Sequence, residues 1–301
     1  MAQTKPKPSE KLSPEAIEKI HASEDTLAIL AYAVVNDSLP EMRFLACRSL
    51  ITGLVQALKT ENSFQYAFDR LKAVSILTPP DSSFRIFTWQ LFVDDSTYRY
   101  YGAIQMNQPE LSLFPLIDRS AEMRGLPTRE QLANDYWYGA LYYNLLPFDT
   151  RKGRKYLLFG FDGFSFFDKR KVVEVLSFDE KGRPVFGAPV FDQPDAEGEM
   201  RLMLEYFAEA RVRLNWDEQY QMILFDHLVP YPNPYNGGIM YIPDGSYSGY
   251  KLEKGRWKFV EKVFDQVQEE APRPEPVLDS QKGKNILGTP GKPKKQKSQG
   301  N

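Results

Sequence analysis

Two histidines, His21 and His227, and one cysteine, Cys47, are all that 301 residues offer for imidazole or thiol chemistry. A His-triad metal site, a Cys-rich zinc site and an internal disulfide framework are therefore excluded. Catalysis through His227, in Phe225-Asp226-His227-Leu228, requires a nucleophile and an orienting acid converging on one ring. No G-x-S-x-G elbow occurs, and Gly245-Ser246-Tyr247-Ser248-Gly249 has tyrosine at the nucleophile position. His227 reads as a structural or surface histidine, and His21, beside Lys19, as a solvated cap at the end of a short helix. Cys47 lies in Leu45-Ala46-Cys47-Arg48, within an apolar helix, and reads as a small buried hydrophobe.

Carboxylate pairs can hydrolyse glycosides. Asp162, Asp168 and Asp244 stand beside glycine or aromatic residues, as sugar-site acids often do. Most acids here nonetheless fall in turn positions, such as Asp94-Asp95, Asp179-Glu180 and Asp217-Glu218, where turn chemistry accounts for them. Asp162-Gly163 with Asp168 is too sparse for a calcium loop. No catalytic residue, metal site or cofactor is assigned. The binding candidate is an aromatic one: Tyr231, Tyr235, Tyr241, Tyr247 and Tyr250, with Asp244, in a stretch of proline, asparagine and glycine read as an irregular loop over a β scaffold. Each tyrosine offers a rigid face and a polar tip.

The elements that would hold such a loop are legible. Ser13-Pro14-Glu15 is a helix start, with a hydroxyl cap, proline in the first turn and an acid near the positive dipole end. Asp25 and Thr26 introduce an apolar run over 27–35, ended by Asn36-Asp37-Ser38. That run is too short for a bilayer, which needs about 20 residues. Leu50, Leu54 and Leu58 form a second stripe, and Phe64, Phe68 and Leu71 a third, so three or four helices are expected over 13–77.

From Phe84 the period changes. Of 41 aromatic residues, 36 lie between 84 and 264, and aromatic residues favour strands. Phe87, Trp89, Leu91 and Val93 alternate, and after Asp94-Asp95-Ser96 so do Tyr98, Tyr100, Gly102, Ile104 and Met106, which is a hairpin pattern. Further strands are read over 137–148, 155–161, 171–178, 183–191, 212–216, 220–228, 247–252 and 256–264. About ten strands at hairpin spacing imply a mainly β, α+β protein: an antiparallel meander, barrel or sandwich over 84–265, with the helical subdomain before it.

Charge divides the chain. Lys+Arg and Asp+Glu nearly balance at −2, yet residues 1–11 carry +2 and those from Pro272 onward +5, leaving −9 on the body. Residues 1–12 and 266–301 are Pro-, Gly- or Lys-rich and poor in apolar side chains, and read as flexible. An acidic body without a nucleic-acid motif argues against nucleic acid as partner, the lysines at 292–297 reading as a solvated tail. The glycine spacing at 283–288 mimics a P-loop, but Thr289 stands where its lysine belongs.

Several phrases resemble an uncharacterised family found in Bacteroidota: Phe84-Arg85-Ile86-Phe87-Thr88-Trp89-Gln90-Leu91 leading to Tyr98-Arg99-Tyr100-Tyr101-Gly102, then Trp137-Tyr138-Gly139-Ala140-Leu141-Tyr142-Tyr143-Asn144, Leu158-Phe159-Gly160-Phe161-Asp162-Gly163 and Phe186-Gly187-Ala188-Pro189-Val190-Phe191. Phe225-Asp226-His227-Leu228 and Pro243-Asp244-Gly245-Ser246-Tyr247 complete a likeness spanning about 45–264. The family has no assigned activity, so the resemblance transfers no catalytic residue. It implies a bacterial envelope or secreted protein. A periplasmic or secreted location is therefore expected although Met1-Ala2-Gln3-Thr4-Lys5-Pro6 holds no apolar leader core, Ala2-Gln3 reading as the remnant of a cleavage site if the start lies upstream; a cytoplasmic location is the alternative.

The expectation is a non-enzymatic protein that binds a protein or glycan partner through an aromatic β surface. The alternatives are a carboxylate-dependent glycan enzyme and an intracellular scaffold whose N-terminal helices dock a partner.

Overall fold

The computed structural model describes residues 8–94, 97–123, 125, 127–193 and 198–264. The basic tail and the P-loop-like glycines lie outside the described residues, as does the start of the N-terminal segment read as flexible. Ser9 and Glu10 are held: their amides donate to the Asn107 and Asn62 side chains, at 2.9 and 2.7 Å.

Two helices come first, α1 (Pro14–Asn36) and α2 (Pro40–Leu58). The Ser13 hydroxyl accepts from the Ala16 amide at 3.1 Å, as a hydroxyl N-cap should. The break expected at Asp25 does not occur, and α1 runs through it, leaving His21 exposed in mid-helix. Nor is there a third α-helix over 59–77. Asn62 and Phe68 take left-handed φ angles of 60° and 55°, which break the helical turn. Phe64, Phe68 and Leu71 are buried from an irregular segment that contains only one short 3₁₀ turn, at Ser63–Gln65.

The strands follow in chain order: β1 (Ser75–Leu77), β2 (Phe84–Asp94), β3 (Thr97–Met106) and β4 (Leu113–Ile117), then β5 (Leu132–Ala133), β6 (Leu141–Thr150), β7 (Gly153–Asp162), β8 (Asp168–Phe178) and β9 (Pro184–Phe186). The remainder are β10 (Phe191–Asp192), β11 (Leu202–Phe207), β12 (Leu214–Asp217), β13 (Met222–Pro232), β14 (Ile239–Glu253) and β15 (Arg256–Val260). They make three sheets, in the orders β1-β2-β3-β4, β5-β9-β8-β7-β6 with β11 also on β8, and β10-β15-β14-β13-β12. Among these pairings only β10–β15 is parallel.

The core shows how the layers stack. Alternate residues of β2 serve different cores: Phe87, Trp89 and Leu91 pack under the helices with Leu27, Leu50 and Leu54, while Phe84 and Ile86 pack against Tyr156 and Leu158 of the second sheet. β7 and β8 repeat the arrangement, turning Leu158 and Val172 to the first sheet and Leu157, Phe159, Val173 and Val175 to Ile223, Tyr250 and Trp257 of the third. The protein is thus a mainly β sandwich with two N-terminal helices, built as a helical layer on three stacked sheets. The helices share a core with the first sheet, which is why their sequence is apolar on a broad face.

Candidate functional site

Most bulky apolar residues are spent between the layers. At one end, however, two turns meet and leave aromatic rings outside. The first is the turn at 163–167 between β7 and β8, with the sequence Gly-Phe-Ser-Phe-Phe. Asp162, the last residue of β7, fixes it from below. One of its oxygens accepts from the Phe164 amide at 2.9 Å and the Tyr100 hydroxyl at 3.0 Å; the other accepts from the Tyr138 hydroxyl at 2.6 Å. The Gly163 amide donates to the Tyr100 oxygen at 2.6 Å, and the Lys169 ammonium donates to the carbonyls of Gly163 and Ser165 at 2.9 and 2.7 Å.

Arg170 completes the bracket. Its guanidinium donates to the Tyr138 oxygen at 3.1 Å, pairs with Glu205 at 2.7 Å and lies 3.4 Å from the centre of the Phe164 ring. Phe164 is held at φ 38°, a conformation that bulky residues adopt only under constraint. The turn is therefore locked rather than loosely draped.

Its product is a set of exposed rings. Phe166 is 59% exposed and packs edge-on against Phe167 at 5.1 Å. Tyr235, 62% exposed, comes from the second turn, at 233–238 between β13 and β14. Its ring lies nearly parallel to both Phe167 and Phe207, at 6.1 and 6.0 Å. The buried Asn233 side chain sets that turn by accepting from the Tyr235 amide at 2.9 Å. From Val229 to Pro243 the chain carries no charge. An uncharged, rigid aromatic patch with polar Tyr tips is what recognition surfaces use.

The electrostatics argue for Asp162 as a scaffold group. Burial pushes its carboxyl pKa up, while the hydrogen bonds from Tyr138, Phe164 and Tyr100 pull the other way. Burial, and then the charge of Asp162, raises the pKa of Tyr100 and Tyr138 well above the ordinary tyrosine value. Three donors already occupy the carboxylate.

The tyrosines expected to line a loop divide. The stretch is not irregular: it is the end of β13, a short turn and β14. Tyr231, Tyr235 and Tyr241 are exposed on this hairpin. Tyr247 and Tyr250 are only 5% and 1% exposed. They lie on β14 where neighbouring strands cover it, and Tyr250 stacks on Phe225 at 5.8 Å and hydrogen-bonds Gln193. Both are core residues, not loop residues.

Asp244 meets His227 instead, with Nδ1 2.9 Å from its carboxylate, while its other oxygen accepts from the Ser246 amide and hydroxyl. Burial pushes the Asp244 pKa up, but these bonds outweigh it and hold the carboxyl below its ordinary value. Because the Ser246 hydroxyl is turned to Asp244, the trio lacks a nucleophile-to-imidazole contact. Asp168 opens β8 opposite Phe207, and burial together with Glu205 raises its pKa.

Cys47 is buried, accepts from the Trp89 indole N–H at 3.5 Å, and has its thiol pKa raised by burial. It floors a cavity of about 460 Å³ between α2 and β3, rimmed by Phe44, Leu45, Ile51 and Tyr101. Among the described residues no group of three His, Cys, Asp or Glu side chains could hold a metal, and no helix is long and apolar enough to cross a membrane.

Sequence reasoning missed the Phe164, Phe166 and Phe167 turn. The available signal was three phenylalanines in a five-residue connection, where polar turn formers are the rule. Comparison of the chain with protein-family models, with curated proteins and with solved structures finds no match.

Proposed function

We propose that this chain is a non-enzymatic binding protein of the bacterial envelope or of secretion, which holds a partner on the aromatic surface built by the 163–167 and 233–238 turns. The observation that carries the reading is the locked turn: the buried Tyr100, Asp162 and Arg170, with the partly buried Lys169 and Glu205, converge from β3, β7, β8 and β11 to hold Phe164, Phe166 and Phe167 outward. Rings held rigidly in water lose little freedom on binding, so their burial is available as affinity.

The test is capture from an envelope extract of the native host with the wild-type chain and with a Phe166→Ser/Tyr235→Ser variant, alongside a glycan array. A partner or glycan retained by the wild type and lost by the variant supports the reading. Equal retention by both overturns it, and fractionation of the host decides the location.

A second reading draws on the helices. Ile29 and Tyr32 of α1 and Met42 and Leu45 of α2 are exposed on the helical layer, a surface suited to docking in an intracellular scaffold. A Tyr32→Lys/Leu45→Lys variant that loses a partner still held by the Phe166→Ser/Tyr235→Ser variant would favour it.

A further inference from the structure

The β13–β14 hairpin outruns its sheet. β12 pairs with β13 only over 222–225, and β15 pairs with β14 only over 249–253. Residues 228–232 and 239–243 therefore form a two-stranded ribbon paired with no further strand among the described residues.

The hydrogen-bond phase of this ribbon is fixed by its turn. The Asn233 amide donates to the Gly238 carbonyl at 2.9 Å. Antiparallel pairing alternates, so 231 with 240 and 229 with 242 are bonded pairs, whereas 232 with 239, 230 with 241 and 228 with 243 turn their amides and carbonyls outward. On β13 two of the three outward positions are Pro230 and Pro232, which have no N–H to offer; proline here guards an edge. On β14 only Pro243 does so. The outward N–H and C=O groups of Ile239 and Tyr241 have no partner among the described residues, and these residues are 69% and 44% exposed.

We propose that this unguarded edge pairs with the same edge of a second copy of the chain. The edge is self-complementary. With a two-fold axis at Met240, Ile239 faces Tyr241 of the second copy, and Tyr241 faces its Ile239. Each of these pairs exchanges two backbone hydrogen bonds, and no proline enters the ladder. β-Branched residues opposite aromatic ones are favourable cross-strand pairs. The uncharged run from 229 to 243 lets two acidic bodies approach here without like charges meeting. The outer edges of the resulting four-stranded ribbon carry Pro230 and Pro232, so the assembly closes as a dimer instead of growing into a fibre. The proposal goes beyond the binding reading above and does not depend on it, since it uses the ribbon edge and not Phe166, Phe167 or Tyr235.

Sedimentation equilibrium of the full chain across the micromolar range tests it, with Tyr241→Pro, Ile239→Pro and Tyr241→Val alongside and thermal melts as the folding control. The wild type is expected to dimerise. Either proline variant should fold, because outward positions of this ribbon already tolerate proline, and should weaken dimerisation at least about tenfold, the equivalent of losing about 1.4 kcal/mol. Tyr241→Val keeps the amide and should dimerise with less than about a tenfold loss. Proline variants that dimerise like the wild type would overturn the proposal, as would two proline variants that fail to fold. A full chain that stays monomeric overturns it too.

Discussion

The hydroxyl of Tyr138 donates to the buried carboxylate of Asp162 across 2.6 Å. Tyr138 lies ahead of β6 and Asp162 ends β7, 24 residues on. The same phenol oxygen accepts from Arg170. One short contact thereby ties the base of the 163–167 turn to a salt-bridged strand.

Removing that hydroxyl should loosen the display without unfolding the protein. Tyr138→Phe leaves one Asp162 oxygen and one Arg170 donor short of a partner in a closed site, a cost of about 1–3 kcal/mol. Hydrogen exchange measured by mass spectrometry should show faster exchange over 163–167 and unchanged protection in α2. Uniform acceleration through both would mean that the bond serves global stability instead.

Asp162 also gives the protein an unusual pH response. Its pKa lies above the ordinary aspartate value of 3.8, first because it is buried. The folded state then binds this proton more tightly than the unfolded state, so the contribution of Asp162 to stability grows as pH falls through the raised value and is lost as pH rises through it. Asp162→Asn removes that dependence. The melting temperature of the wild type relative to this variant should rise between pH 7 and pH 4. A difference that is flat or shrinks over that interval would contradict the assignment.

Much of the fold was legible because its signals are local. Ser13 caps α1 with its own hydroxyl, and the alternation of Phe87, Trp89 and Leu91 is that of a strand with two buried faces. What failed was non-local. Phe64, Phe68 and Leu71 match a helical period, but the chain turns left-handed at Phe68 to bring its ring under β2. The alternation cannot say which sheet covers Ile86 and which covers Phe87, so the stacking of three sheets was out of reach. Composition picks out Tyr231, Tyr235 and Tyr241, which the β13–β14 hairpin exposes. Tyr247 and Tyr250 were grouped with them because nothing local marks where β14 passes beneath its neighbours. The bracket below Phe164 joins Tyr100 and Asp162 across 62 residues, a spacing that no motif records.

A second buried pair sets a different test. Arg201 and Glu174 are both fully enclosed, and the guanidinium Nε lies 2.9 Å from the carboxylate. Arg201 also donates to the carbonyls of Pro127 and Phe186, joining the connection before β5 to β8 and β9. Removal of either charge alone strands the other, at a cost of about 3–5 kcal/mol. Glu174→Leu and Arg201→Met should each depress the melting temperature more than the double variant does. Additive losses would mean that the two groups act independently.

Arg85 supplies the sharpest case, because it is a buried guanidinium with no carboxylate among its described partners. On β2 it donates to the Gln105 side chain at 2.8 Å and to the carbonyls of Ser63 and Tyr66, and its charge lies about 5 Å from the rings of Phe64, Phe68 and Phe87. It is the post around which the segment after α2 folds, standing where a third helix was expected. Methionine can fill the space but leaves the Gln105 and Tyr66 oxygens without donors, while the Ser63 carbonyl keeps the Tyr66 amide at 3.0 Å; each orphaned acceptor is worth about 1–3 kcal/mol when buried. Lysine keeps the charge but cannot span three acceptors with the fixed fork of a guanidinium. Arg85→Met and Arg85→Lys should therefore both destabilise by several kcal/mol in urea titration, of order the sum of two such losses. Both should also open residues 60–74 to proteolysis before α1 or β7. If Arg85→Lys proves as stable as the wild type, charge alone suffices there, and the role assigned to the fork is wrong.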